Sequence, residues 1–398
     1  TRAPSPSVSV SPDNDLLLLL EREALPPVSE LAKPMEKLAG LRLDPATNDR
    51  HGTRSVVGLS LQDVASGQVR RVALPANADI SDVSWSADGA RVVFTNTRPD
   101  AMDLHVLDTA SGAARKLMTG GVNLTIPQGR GPMPVESRTP QGPAIQEAAG
   151  GQQAQTRTYQ DLLENPHDKA LFTWLATSQP VLMNADGTGK RAVGEPRIYT
   201  DVTPSPDGRF LLMEWLSEPF SYQVPWSRFP LTTAVYTRDG KLVATIAEQP
   251  LADALPVQGV VTGRRNIQWH PTEDALLLWA EAQDGGDPRV KTDNRDNVLA
   301  LAAPFTGEGR LLARLEDRAS GMMGIEGTDD LMVYEYDRDT RELRQMLVDV
   351  NDGTAPRQLG IRNIQDAYND PGQPLTTYTD RGQVVARNLG GQLLLSGG

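Results

Sequence analysis

A chain of 398 residues with 51 acidic against 39 basic side chains carries a net charge of −12, which excludes a general attraction to nucleic acid or anionic lipid. It has no cysteine, so disulfides, thiolate catalysis and cysteine-ligated zinc are excluded together. With 39% hydrophobic and 23% charged residues it reads as soluble and globular; its longest apolar run, Leu16 to Leu20, is far too short to insert in a membrane, and 35 Gly with 30 Pro favour turn-rich β structure over helix.

The chain begins at Thr1 with neither Met nor an apolar leader, which fits an exported protein whose signal has been removed. From there one degenerate unit repeats. Val8 to Asn14 (VSVSPDN), Val83 to Gly89 (VSWSADG), Val202 to Gly208 (VTPSPDG) and Ile267 to Asp274 (IQWHPTED) each lead into an apolar run of buried-strand length. Those runs are Leu16 to Leu20, Val92 to Thr95, Phe210 to Trp215 and Leu276 to Ala280. Ser-Pro-Asp-Gly is tight-turn chemistry: Pro fixes φ, Asp bonds its own backbone two residues on, and Gly accepts positive φ. A second turn follows in each unit, at Asp63 to Gly67, Asp108 to Gly112, Asn184 to Gly187, Arg238 to Gly240 and Asp349 to Gly353. Two hairpins per unit make a four-stranded antiparallel sheet, and such sheets repeated every 40 to 75 residues or about that predict an all-β fold, a β-propeller.

Six blades are predicted: Val8 to Leu74, Ile80 to Met118, Val122 to Val193, Tyr199 to Ala247, Arg264 to Ala313 and Ser320 to Leu359. Thr376 to Leu395 supplies part of a seventh, so one propeller domain over 1–398 is expected to need further polypeptide to close. An insertion at about 121–176 breaks the pattern. Gly121 to Gly151, rich in Pro, Gly and Gln, reads as a long exposed loop, and Thr158 to Leu175 places apolar residues at helical spacing.

No residue reads as catalytic. Gly-x-Ser-x-Gly is missing from the sequence, and His51, His105, His167 and His270 have neither a nucleophilic Ser in context nor a partner at metal-ligand spacing. Neither a metal nor a cofactor is expected. Asp284-Gly-Gly-Asp287 and Asp349 to Gly353 fall short of a calcium loop and read as turns. Loop length is the more informative signal. Connections from strand 2 to 3 and from strand 4 to the next blade share one face, and there Glu21 to Arg54, Ser217 to Thr233, Gln249 to Arg265 and Gln283 to Asn297 are long. That face is marked as the functional one.

Several strings carry a family resemblance: PSPSVSVSPD at 4–13, LPPVSELA at 25–32, YQDLLENPHD at 159–168, PFSYQVPWSRFP at 219–230, WAEAQDGGDP at 279–288 and EYDRD at 335–339. On these the chain resembles the N-terminal propeller of the glutamyl endopeptidase branch of the prolyl oligopeptidase superfamily. The resemblance implies a serine peptidase, in the periplasm, outside the cell or in the plastid stroma, that cleaves peptides after Glu. Its propeller caps an α/β-hydrolase domain that holds the Ser, Asp and His and is absent from this chain, whether it comes from the same precursor or as a separate fragment. A free-standing propeller acting as a scaffold or ligand-binding module is the alternative.

Selection of Glu calls for a cation, and Arg suits a carboxylate because its planar guanidinium can bind both oxygens. Arg228, Arg264, Arg265, Arg289 and Arg295, with Lys291 near them, lie on the long-loop face. Arg228, inside the most specific string, and Arg265, at the start of an inner strand, lead this set. Tyr222, Trp226 and Phe229 share the loop of Arg228 and are expected either to form a local core that stiffens it or to pack against the hydrolase domain and peptide backbone.

Overall fold

In the computed structural model, which describes residues 5–23, 25, 28–52, 56–120, 130–136, 158–351 and 355–397, the repeated unit is a four-stranded antiparallel sheet whose strands follow in chain order. The first blade is Ser7–Val10, Leu16–Arg22, Val56–Asp63 and Val69–Arg71, and the second Ile80–Trp85, Arg91–Arg98, Ala101–Asp108 and Ala114–Gly120; a Val56–Ile80 pair joins the two into one eight-stranded sheet. The fourth runs Ile198–Pro204, Phe210–Leu216, Leu231–Thr237 and Leu242–Gln249. Arg264–Trp269, Leu276–Ala282, Asp296–Ala302 and Arg310–Leu315 make the fifth, and Arg318–Gly324, Leu331–Asp337, Glu342–Val348 and Arg357–Asn363 the sixth. The chain is thus all-β, a series of propeller blades with a small helical insertion.

The turn sequence works as its residues dictate. The Ser205 hydroxyl donates to Asp207 Oδ1 at 2.6 Å and accepts the Phe210 N–H at 3.0 Å, while Gly208 takes φ +69°. Ser86 repeats both bonds with Asp88 (2.6 Å) and the Arg91 N–H (2.9 Å), and Ser11 does so with Asp13 and the Leu16 N–H. In the fifth blade His270 replaces the Ser, and its Nδ1 accepts the Thr272 N–H at 3.3 Å.

Alternation along a strand then explains why the apolar runs are continuous. In Leu276–Ala282, Leu277 and Trp279 pack with Leu212, Val235 and Ile246 of the fourth blade, whereas Leu278 and Ala280 pack with Leu331 and Val333 of the sixth. Both faces are buried from Leu277 to Ala280, so no polar position interrupts that run.

Three expectations change. Where a third blade is predicted, the described residues hold only the ladder Val181–Leu182 with Arg191–Ala192; the loop expected at 121–151 lies mostly outside the described residues. Helix forms over Pro166–Ala176 but not over Thr158 to Glu164. Asn165 precedes Pro166, which disfavours helical φ/ψ there, and instead caps the helix by accepting the Asp168 N–H at 3.0 Å. Third, the long connection after the first blade's second strand contains a sheet of its own, Glu36–Leu38, Leu41–Asp44 and Asp49–Arg50. At the other end Thr376–Tyr378 pairs with Val384–Ala386, followed by two ladders of two residues.

The chain divides into two compact units. One holds the first two blades, the helix and residues 220–229; the other holds 200–219 and 230 onward.

Candidate functional site

In the first unit the string that led the sequence reading is a loop with a core of its own. Phe220 and Phe229 stack at 5.0 Å between ring centres, and both meet Phe172 of the helix edge-on, at 5.4 and 6.0 Å. Val224 and Phe229 are buried beside them. The loop is tied to its neighbours by the Trp226 N–H, which donates to Ala39 O at 2.8 Å. Gly40 follows at φ +84°, where a Cβ would lie 2.7 Å from that of Pro225, so only Gly allows this approach.

Tyr222, Trp226 and Arg228 are half-buried on this frame. Of the three aromatics expected to stiffen the loop, Phe229 is in this core, with Phe220 and Phe172 rather than Tyr222 and Trp226 as its ring partners. Phe172 could not have been found from the loop alone, since it lies some fifty residues upstream in the helix. The Arg228 guanidinium has no hydrogen bond or ion pair among the described residues, so it is free to meet an anion.

The second unit treats its arginines differently. Asp284 and Asp296 have fully buried side chains, and three guanidiniums alternate with them. Arg295 reaches Asp284 at 2.8 Å, Arg318 bridges Asp284 (2.5 Å) and Asp296 (2.7 Å), and Arg265 pairs with the other oxygen of Asp296. The backbone completes the set: Gly286 N–H donates to Asp284 at 2.9 Å and Ala319 N–H to Asp296 at 2.7 Å. This lattice sits at strand ends on the long-connection face. The turn reading of Asp284 to Asp287 is compatible with it, yet composition gave no hint that Asp284 is buried. The available signal was an acid close behind a strand with a continuous apolar run, as at Asp284, or opening a largely apolar strand, as at Asp296.

Arg265 is therefore occupied by Asp296 inside the fold rather than held ready for a substrate. Arg264 lies over the Trp279 ring at 4.5 Å and donates to Gly307 O at 2.8 Å. Arg289 is exposed and grips Asp287, holding that carboxyl down at about 2. Of the arginines expected to bind substrate, Arg228 is the one whose guanidinium is left without a partner among the described residues.

A third cluster, in the sixth blade, sets one cation against four acids. Arg344 reaches Glu316 at 2.6 Å, Asp317 at 3.2 Å, Glu335 at 3.7 Å and Glu342 at 3.9 Å. Burial pushes the carboxyls of Glu335 and Asp317 up, and nearby acids add to the rise. A carboxyl raised in the native state binds protons there that it loses in the unfolded chain, so its contribution favours folding at low pH. That contribution falls as pH rises from the unfolded value, about 4.3 for Glu, through the raised native one. Glu335→Gln removes the ionisation while keeping an acceptor for the Asp317 N–H. Thermal melts should show the variant gaining most over the parent at pH 8 and least at pH 4; a gap independent of pH would refute this account.

No protein-family model matches the chain. In an alignment that covers 96% of this chain, it is 37% identical to the rice (Oryza sativa subsp. japonica) protein named probable glutamyl endopeptidase, chloroplastic. The Arabidopsis thaliana protein of the same name is 34% identical over 97% of the chain. Over nearly its whole length, then, the chain is similar to proteins named glutamyl endopeptidase. It spans 44% and 43% of the lengths of those two glutamyl endopeptidases, less than half of either. Among solved structures it is similar to Pyrococcus horikoshii acylaminoacyl peptidase, with TM-score 0.40 and 10% identity over 91% of this chain and 46% of that one. It is also similar to the β-propeller domain of the trilobed protease from Pyrococcus furiosus, with TM-score 0.35 and 8% identity over 95% and 77%. Likenesses this faint add nothing to the relationship with the glutamyl endopeptidases, which rests on sequence.

Proposed function

We propose that this chain is the propeller part of a serine endopeptidase, admitting peptides to an active site in a separate α/β-hydrolase portion and contributing to cleavage after Glu. The observation that carries this reading is the 34–37% identity to two proteins named glutamyl endopeptidases, maintained over nearly the whole chain. Two further features support it: the sequence holds no Gly-x-Ser-x-Gly, and both relatives are more than twice as long as the stretch they share with it. Both relatives are named chloroplastic, which supports the plastid stroma over the periplasm or the exterior.

Within this reading Arg228 meets the substrate carboxylate, because it is half-buried and has no side-chain partner among the described residues, on a loop braced by Phe172, Phe220 and Phe229. The test uses the chain joined to its hydrolase portion. Arg228→Ala should lower kcat/KM for Glu-containing peptides by about 10- to 100-fold, the worth of a hydrogen bond between charged groups, and leave Gln-containing analogues unchanged. An equal loss on both peptides, or no loss, removes Arg228 from the role.

A further inference from the structure

Backbone conformations that side-chain-bearing residues seldom adopt gather at one place in the first unit. Ala39, fully buried, takes φ +53° and Gly40 φ +84° in the turn between Glu36–Leu38 and Leu41–Asp44, and Asp161 takes φ +57°. An alanine in that region is uncommon, and such strain persists only where the surroundings fix it. Here they do: Gly40 N–H donates to Asp161 O at 2.7 Å, and Arg42 Nε donates to Asp161 Oδ2 at 2.7 Å.

The fixed turn is tied to the stretch that leads into Arg228. Ala39 O accepts the Trp226 N–H at 2.8 Å, and Pro225 packs so closely on Gly40 that a Cβ there would lie 2.7 Å from its own. Pro225 in turn opens the single 3-10 turn Trp226–Arg228, its carbonyl accepting the Arg228 N–H at 2.9 Å. Carbons in contact stand about 3.5–4.0 Å apart, so a methyl group on Gly40 drives Pro225 back by about 1 Å and takes the backbone of Arg228 with it.

We infer that Ala39 and Gly40 are positioning residues for Arg228: their strained turn sets where the guanidinium stands, and through it the preference for Glu over Gln. The coupling stands on the geometry alone; its effect on preference rests on the role proposed for Arg228 above.

Two readouts separate the coupling from that role. The rate at which phenylglyoxal labels Arg228 in the 398-residue chain, followed by peptide mass spectrometry, reports where the guanidinium stands without any catalysis. The ratio of kcat/KM on matched Glu- and Gln-containing peptides, measured with the chain joined to its hydrolase portion, reports the preference. Gly40→Ala should raise the labelling rate and lower the preference about tenfold, within what a displacement of about 1 Å can cost, with Gln peptides unchanged. Gly52→Ala is the control, since Gly52 stands at φ +81° with no atom within 4 Å of an added Cβ; both readouts should keep the parent's values. Pro225→Gly, which removes the opposing Cβ, should also raise the labelling and lower the preference, and it carries the test if Gly40→Ala does not fold. Equal effects of Gly40→Ala and Gly52→Ala, or readouts that neither Gly40→Ala nor Pro225→Gly moves, overturn the inference. If Gly40→Ala raises the labelling while Arg228→Ala leaves the preference intact, the coupling stands and the substrate role of Arg228 falls. If Arg228→Ala abolishes the preference and Gly40→Ala changes neither readout, the coupling is wrong and the role survives.

Discussion

Asp296→Ala is expected to destabilise the chain by about 3–5 kcal/mol, the cost of removing one member of a buried ion pair and leaving its partner charged and unmatched. Asp296 is fully buried and accepts from Arg265, Arg318 and the Ala319 N–H. Its loss leaves Arg265, itself 6% exposed, with only the Ala319 carbonyl at 3.4 Å. Arg318 keeps Asp284 and suffers less. The destabilisation should therefore be recovered in large part by removing Arg265 as well, in an Asp296→Leu, Arg265→Met double variant, because an apolar pair of similar volume needs no desolvation of charge. Denaturant melts decide the matter. Comparable losses in the single and double variants would mean that Asp296 acts mainly through the Ala319 N–H.

This lattice also shows where sequence reading stops. The blades were legible because each rests on local chemistry. Ser, Asp and Gly of the turn bond one another within five residues, so Ser205, Asp207 and Gly208 announce the hairpin without knowledge of anything distant. The continuous apolar runs follow from burial on both faces of a strand. His270 could be placed in the turn but not understood there, since its Nε2 bonds to Asp329 O, fifty-nine residues away. The candidate sites are non-local throughout. Arg265 and Asp296 are thirty-one residues apart, and nothing in either neighbourhood says that they pair. The same holds for Phe172 against Phe229, and for Asp161 against Arg42 at a separation of 119. Arg228 was reached because its surrounding string is unusual, whereas Ala39 and Gly40 turn within a small sheet, ended by Arg50, that interrupts what read as plain loop.

The second large effect is expected at Trp279→Ala. Trp279 is wholly buried in the middle of Leu276–Ala282, its Nε1–H donates to Glu281 at 2.8 Å, and Arg264 covers its face. Truncating a buried Trp costs about 3–5 kcal/mol, through lost transfer energy and the cavity that remains. Part of the cost here is borne elsewhere, because Arg264 loses the ring on which it lies. The fit is tight enough to test independently of that loss. Gly309 stands at φ +92°, and a Cβ on it would fall 2.3 Å from Trp279 Cη2, an atom that Phe lacks. Gly309→Ala carries a backbone penalty in any background, but in the parent it also forces the indole aside. Its destabilisation should then be smaller when combined with Trp279→Phe than in the parent, giving an interaction energy of opposite sign to the single effects. Simple additivity in the double-mutant cycle would show that strain at φ +92°, and not contact with the ring, is what keeps Gly309 a glycine.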